Sequence, residues 1–251
     1  MCGKAAVSHL SWKDVYGWAS SLTPPRALPA DPKDRVNISP SRLRRVREPG
    51  SMVWETLPAI YADGATDQPT EATWPFLPYW ANGQLPRNKA SKLISTANAR
   101  LRHDGAPFAP SYMGAWAKDL RLLVPVSWFY EFDSRVKPQI PYAVFPLHAP
   151  FWTLCGLGSW YTAADGSQKL SVSIITVEPN EILKSVGHNR SPAILQSPHD
   201  AERWLRATKQ EVLELLQPFP SESMGVEQVP MGIKIPGNEN ITLPACIAKR
   251  P

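Results

Sequence analysis

The feature that most constrains this chain is a series of four segments, 122–132, 141–147, 151–161 and 170–177, rich in β-branched and aromatic residues. The connections between them are far shorter than the dozen or more residues a parallel crossover needs, so neighbouring strands must pair antiparallel. Helical periodicity appears outside this block. In the segment 11–22, Trp12, Val15, Tyr16 and Ala19 share one face, and Ser11 with Asp14 forms a capping box. Further helices are expected over 111–119, over 197–205, where Ser197 is the N-cap and Pro198 the first helical residue, and over 209–216. Strands grouped together with helices around them define an α+β fold: mostly antiparallel strands forming a curved sheet or barrel-like core with peripheral helices.

The chain has 251 residues, and 27 of them are proline, about twice the usual share of roughly 5%. Glycine is not enriched, so the prolines point to long ordered loops. The stretch 23–32 must be one, and 42–63 mixes short strand-like pieces around the turn signal Pro49-Gly50. Nothing divides the sequence clearly, and it contains no internal repeat. We therefore expect one domain over 2–220, with 221–251 as a carboxy-terminal extension packed on it. The 27 basic residues exceed the 22 acidic ones for a net charge of +5, which suits a polyanionic partner. The run Arg42, Arg44, Arg45 and Arg47 reads equally as a nucleic-acid contact or as a solvated strand face.

Cys2, Cys155 and Cys246 are odd in number and widely spaced, matching neither a disulfide framework nor a zinc pattern. No metal and no cofactor is expected. The first residues lack the apolar run of a signal peptide, and no segment approaches the ~18 apolar residues of a membrane helix. These features give the expectation of a soluble intracellular monomer without a membrane partner.

Cys2 carries the most reactive chemistry. Methionine aminopeptidase, the expected processing partner, removes Met1 before a small side chain and would leave a terminal 1,2-aminothiol. An α-amine with a reference pKa of about 7.7–8.0 and a thiol of about 8.5 are both partly deprotonated near neutrality. Toward an aldehyde, the amine forms a Schiff base and the tethered thiol closes a five-membered thiazolidine. Taken alone, Cys2 reads more simply as an incidental second residue.

Six short motifs change that reading: Met1-Cys2-Gly3; Val36-Asn37-Ile38-Ser39-Pro40; Trp74-Pro75-Phe76-Leu77-Pro78-Tyr79-Trp80; Asn98-Ala99-Arg100; Trp128-Phe129-Tyr130-Glu131-Phe132; and His188-Asn189-Arg190-Ser191-Pro192. In this order they resemble the SOS-response-associated peptidase family, from residue 2 to about residue 205. The resemblance implies covalent capture of abasic sites in single-stranded DNA, in the cytoplasm or another intracellular DNA-containing compartment, with AP lyase activity as a further expectation. It implies that Cys2 is the nucleophile and that Asn98, Glu131 and His188 gather around it. For Glu131 it suggests proton transfer in opening the deoxyribose ring, and for His188 acid-base work at the Schiff-base stage. Lys4, Asn37, Pro40, Trp80, Arg100 and Arg190 are the expected DNA contacts, the arginines on phosphates and Trp80 under a base.

The chain departs from the family pattern at Lys4, where arginine is usual, at Pro75, usually glycine, and at Phe132, usually tryptophan. Lysine lacks the guanidinium fork and phenylalanine has the smaller stacking face, so these departures touch DNA binding more than covalent chemistry. Two other functions compete. One is a thiol autopeptidase that exposes Cys2 by removing what precedes it. The other is a noncatalytic single-strand-binding module, which leaves Cys2, Glu131 and His188 unexplained.

Overall fold

In a computed structural model the residues described are 3–40, 54–102, 105–107, 109–235, 237–244 and 247; Cys2, Cys246 and the arginines at 42, 44, 45 and 47 lie outside them. The chain begins with strand β1 (Lys4–Val7), helix α1 (Trp12–Trp18) and strand β2 (Arg35–Ile38). A hairpin of β3 (Glu55–Asp63) and β4 (Thr66–Trp74) follows, then β5 (Asn98–Arg100) and α2 (Met113–Ala117). The central strands are β6 (Arg121–Val126), β7 (Trp128–Asp133), β8 (Ile140–Pro146), β9 (Trp152–Thr162) and β10 (Gln168–Val177). Helix α3 (Glu181–Ser185), strand β11 (Ser191–Pro192), helices α4 (Pro198–Arg206) and α5 (Lys209–Glu214), and strand β12 (Met224–Gln228) complete the order.

Strands β4, β3, β6, β9 and β10 form a closed barrel, because β10 pairs both with β9 and with β4. Five further strands make a second sheet in the order β12-β8-β7-β1-β2, while β5 and β11 pair with β10 of the barrel. The expected α+β architecture, with an antiparallel barrel-like core and peripheral helices, is the one adopted. Two parallel contacts were not anticipated: Ser171 pairs with Thr73 where the barrel closes, and β5 runs parallel to β10. Both join segments far apart in sequence, so no connection length forecasts them.

The run read as one strand over 122–132 divides at Ser127. Its amide donates to the carbonyl of Ala6 (2.9 Å). Its hydroxyl accepts from the amide of Ser8 (2.8 Å) and donates to that residue's carbonyl (3.0 Å). These bonds turn the chain out of the barrel, so β6 belongs to one sheet and β7 to the other. Inside the barrel, Gly156 sits where a Cβ would lie 2.8 Å from Val172 Cγ2 and 3.0 Å from Val124 Cγ2, a space that only hydrogen fills.

The expected helices are present; α1, α2 and α5 are shorter than read, and α4 runs one residue further, to Arg206. Ser11 caps α1 by accepting from the Asp14 amide, and Ser197 caps α4 with Pro198 at its first turn. Trp204 anchors α4 by donating its indole N–H to the carbonyl of Leu122 (2.9 Å). Strand β12 pairs with β8 from Tyr142 to Pro146, so residues beyond 220 extend the second sheet. Beyond it Val229, Ile233 and Ile247 cover Ala6, Trp128, Tyr130 and Phe145 in a small separate core. Among the described residues no helix is long and apolar enough to cross a membrane.

Candidate functional site

Strand β7 is held between β1 and β8: Lys4 pairs with Tyr130, Ala5 with Phe129, and Glu131 with Tyr142. Alternation along a strand sends Trp128 and Tyr130 under the carboxy-terminal segment and Glu131, with Phe129 and Asp133, to the opposite face. Continued by one residue, the β1 register sets Gly3 across from Glu131. Cys2 precedes Gly3 in the chain and lies outside the described residues. Glu131 is fully buried, and its Oε2 lies 2.8 Å from Nε2 of His188, whose side chain is 14% exposed. A buried carboxyl facing an imidazole is suited to share or pass a proton.

His188 is fixed by a helix terminus. Helix α3 begins at the Asn180 cap, whose side chain accepts from the Leu183 amide. It ends in a Schellman motif: the amide of Gly187 donates to the carbonyl of Lys184 (3.0 Å) and that of His188 to the carbonyl of Leu183 (2.9 Å). Gly187 has φ +75°, and a side chain there would meet the carboxylate of Asp133 and Nε of Arg135 (2.7 Å). Glycine is therefore required twice over, by backbone conformation and by space.

Arg135 ties this turn to the end of β7. Its Nη2 donates to Asp133 Oδ2 (2.7 Å) and to the carbonyl of Ser185 (2.8 Å), while its Nε donates to Asp133 Oδ1 (2.9 Å). These bonds from Arg135 hold the Asp133 carboxyl below the usual carboxylate range. Glu131 and the turn bearing His188 are thus bridged two residues away from their contact.

Asn98 and Arg100 point to one side of β5, which lies along β10 with Asn98 opposite Ile174 and Arg100 opposite Thr176. Tyr112 donates its hydroxyl to the Asn98 carbonyl (3.0 Å). Two residues beyond His188, Arg190 donates through Nη2 to the carbonyl of Thr176 and to its hydroxyl oxygen. Its Nη1 meets Glu178 Oε1 at 2.5 Å, and Nη2 of Arg100 reaches the same oxygen at 3.5 Å. Burial, then the like charge of Arg100, pull the Arg190 guanidinium below its ordinary range, with Glu178 opposing them.

The other expected contacts fall elsewhere. Lys4 is buried and donates to Asn37 Oδ1 (2.8 Å). The Asn37 amide donates in turn to the carbonyls of Ile235 (2.7 Å) and Asn238 (3.0 Å), fastening the carboxy-terminal segment to β2. Pro40 is buried. Within the aromatic motif Trp74, Phe76 and Leu77 are core, whereas Trp80 is 52% exposed beside exposed Tyr79. Among the described residues no group of three or more His, Cys, Asp or Glu side chains is placed to hold a metal ion.

Asp133, Arg135, Glu178 and Gly187 were not singled out from sequence. Gly187 carried a local signal, a glycine at the end of a short helical segment, and Asp133 and Arg135 are two residues apart; the contacts of Arg135 with Ser185 and of Glu178 with Arg100 cross long stretches of chain.

The sequence matches the family described as SOS response associated peptidase (SRAP) over residues 1–235, and the chain belongs to that family. It is 28% identical over 191 residues to "Abasic site processing protein YoaM" of Bacillus subtilis strain 168, covering 74% of this chain and 78% of that one. It is 26% identical over 186 residues to "Abasic site processing protein YoqW" of the same strain, covering 72% and 78%. A crystal structure of a Bordetella bronchiseptica protein shares the fold, with a TM-score of 0.64 at 19% identity over 92% of this chain and 100% of that one.

Proposed function

We propose that this protein processes abasic sites in DNA, and that it does so by covalent capture in single strands through Cys2. The observation that carries the reading is the contact of 2.8 Å between fully buried Glu131 and His188, on the strand that pairs with the first strand of the chain. Family membership and the printed names of YoaM and YoqW support abasic DNA as the substrate class.

Removal of Met1 leaves the amine and thiol of Cys2 on adjacent atoms. The sugar of an abasic site must open to its aldehyde, which requires a proton to leave the anomeric hydroxyl and another to reach the ring oxygen. Glu131, paired with His188, is the group for that exchange. Attack of the amine on the aldehyde, with loss of one water, gives the Schiff base. Addition of the thiol across the C=N bond, with the thiol proton passing to nitrogen, closes the thiazolidine. His188 moves protons at the imine stage, where hydrolysis reverses the adduct and β-elimination cleaves the strand. Asn98 orients the amine or a sugar hydroxyl, Arg100 and Arg190 hold phosphates, and exposed Trp80 supports a base. Lys4, Asn37 and Pro40, all buried, support the site from within.

Mass spectrometry of the processed protein mixed with an abasic single-stranded oligonucleotide tests the reading. The expected product has the summed masses less one water, on the peptide that begins at Cys2. Binding without a mass gain supports a noncovalent module, and self-release, by the unprocessed chain, of what precedes Cys2 without DNA attachment supports an autopeptidase.

A further inference from the structure

Glu178 belongs to none of the roles assigned above, yet it occupies a particular place. It follows the end of β10, its side chain is 67% exposed, and one of its oxygens is approached by two guanidinium groups. The Arg190 side chain is only 11% exposed, and its other nitrogen is bonded to Thr176. The fork is therefore pinned in place whether or not Glu178 is there. Arg100 is anchored separately, by the pairing of β5 with β10 at Thr176.

Two guanidinium groups, one from β5 and one from the segment that leads into β11, converging on one exposed anionic oxygen is the arrangement by which proteins hold a phosphate. Here the anion is supplied by the protein. The carboxylate is itself largely exposed, so it regains water on leaving, and the incoming phosphate takes its place against the buried Arg190 charge. While the carboxylate stays, it neutralises one of the two positive charges that a phosphate would use.

Resting on the reading that the chain binds single-stranded DNA, we propose that Glu178 is an internal stand-in for a DNA phosphate: its carboxylate occupies the Arg100–Arg190 fork and must be displaced when the strand binds. It weakens engagement with undamaged DNA, where phosphate contacts supply most of the affinity. A strand held also by the covalent bond at Cys2 overcomes the competition.

The test is the affinity of wild type and Glu178→Gln for a fluorescent abasic-free single-stranded oligonucleotide, by anisotropy, across a series of potassium chloride concentrations. Glutamine keeps shape and hydrogen-bonding capacity but removes the charge. A unit charge about 4 Å from a phosphate in water alters affinity roughly fivefold, so Glu178→Gln is expected to bind roughly three- to tenfold tighter. The slope of log affinity against log salt should steepen by about 0.7, the value for one more phosphate on a single strand. Glu178→Ala should move the same way. The gain should largely vanish when Arg190→Ala is added, since the freed fork is then incomplete.

Unchanged or weaker binding in Glu178→Gln, with wild type binding normally, overturns the stand-in and leaves the DNA-binding reading intact. A gain that survives Arg190→Ala also overturns it, because the effect is then general charge. No binding by any of the proteins overturns both proposals together.

Discussion

Oε2 of Glu131 and Nε2 of His188 lie 2.8 Å apart although one residue is on β7 and the other is in the turn after α3, 57 positions later. Two sequence-distant pieces of secondary structure therefore meet in a single buried carboxyl–imidazole contact. Arg135 holds those pieces together through Asp133 and the carbonyl of Ser185. The contact is the geometric centre of the proposed chemistry, and its two members have separable tasks.

Glu131→Gln preserves shape and removes the titrating group. We predict that adduct formation slows by something approaching the ~10²–10⁴-fold contribution of a general acid-base group, less whatever spontaneous ring opening supplies. Single-turnover gels with a labelled abasic oligonucleotide measure it. An unchanged rate refutes the role given to Glu131.

His188→Ala should form the adduct with a smaller loss but release or cleave it slowly, because the imidazole is assigned to the imine stage. Transfer of preformed adduct to excess unlabelled abasic competitor, followed between about pH 5 and 8, gives the release rate. Wild-type release throughout that range contradicts the assignment.

The Asp133–Arg135 bridge predicts an acid-sensitive link. The folded-state pKa of Asp133 is depressed relative to its unfolded value of about 3.9, so its stabilisation is fully present above that value. It is lost as pH falls through the lower folded-state value. The stability difference between wild type and Asp133→Asn should therefore be constant from neutrality down to about pH 5 and shrink below about pH 4. Thermal unfolding followed by circular dichroism at each pH tests this; a difference independent of pH removes the charge of Asp133 from the account.

Lys4 and Asn37 are buried together, and Asn37 also holds two carbonyls of the carboxy-terminal segment. Asn37→Ala strands these groups, and the expected loss is about 1–3 kcal/mol in urea unfolding, the usual cost of orphaning buried polar partners. Hydrogen exchange should rise first in residues 229–239. A neutral stability effect accompanied by weakened DNA binding would instead make Asn37 a direct contact.

How far this could be read from sequence depended on whether a partner was local. Ser11 with Asp14, and Ser197 with Pro198, announced their helices because a cap and the amide it bonds are three residues apart. Strands β9 and β10 were legible from dense β-branched and aromatic content, and the antiparallel core followed from short connections. The division at Ser127 was not, because a continuous apolar run looks the same whether it feeds one sheet or two, and the bonds that bend it come from Ser8, 119 positions away. Strand β4 was hidden by Pro69 and by polar residues on its partly exposed face. Glu131 and His188 were legible as motif members, but their contact was not, nor was the meeting of Arg100 and Arg190 at Glu178.

The central claim is that the terminal amine and thiol of Cys2 form the bond to DNA. The most direct measurement is the yield of heat-stable adduct on denaturing gels for wild type, Cys2→Ala and Cys2→Ser, each freed of Met1 and incubated with one abasic single-stranded oligonucleotide. A stable adduct is expected for wild type and almost none for either variant, since alanine has no second nucleophile and an alcohol closes the ring poorly. Both variants should retain noncovalent affinity for the strand. An undiminished heat-stable band from Cys2→Ala would contradict the account.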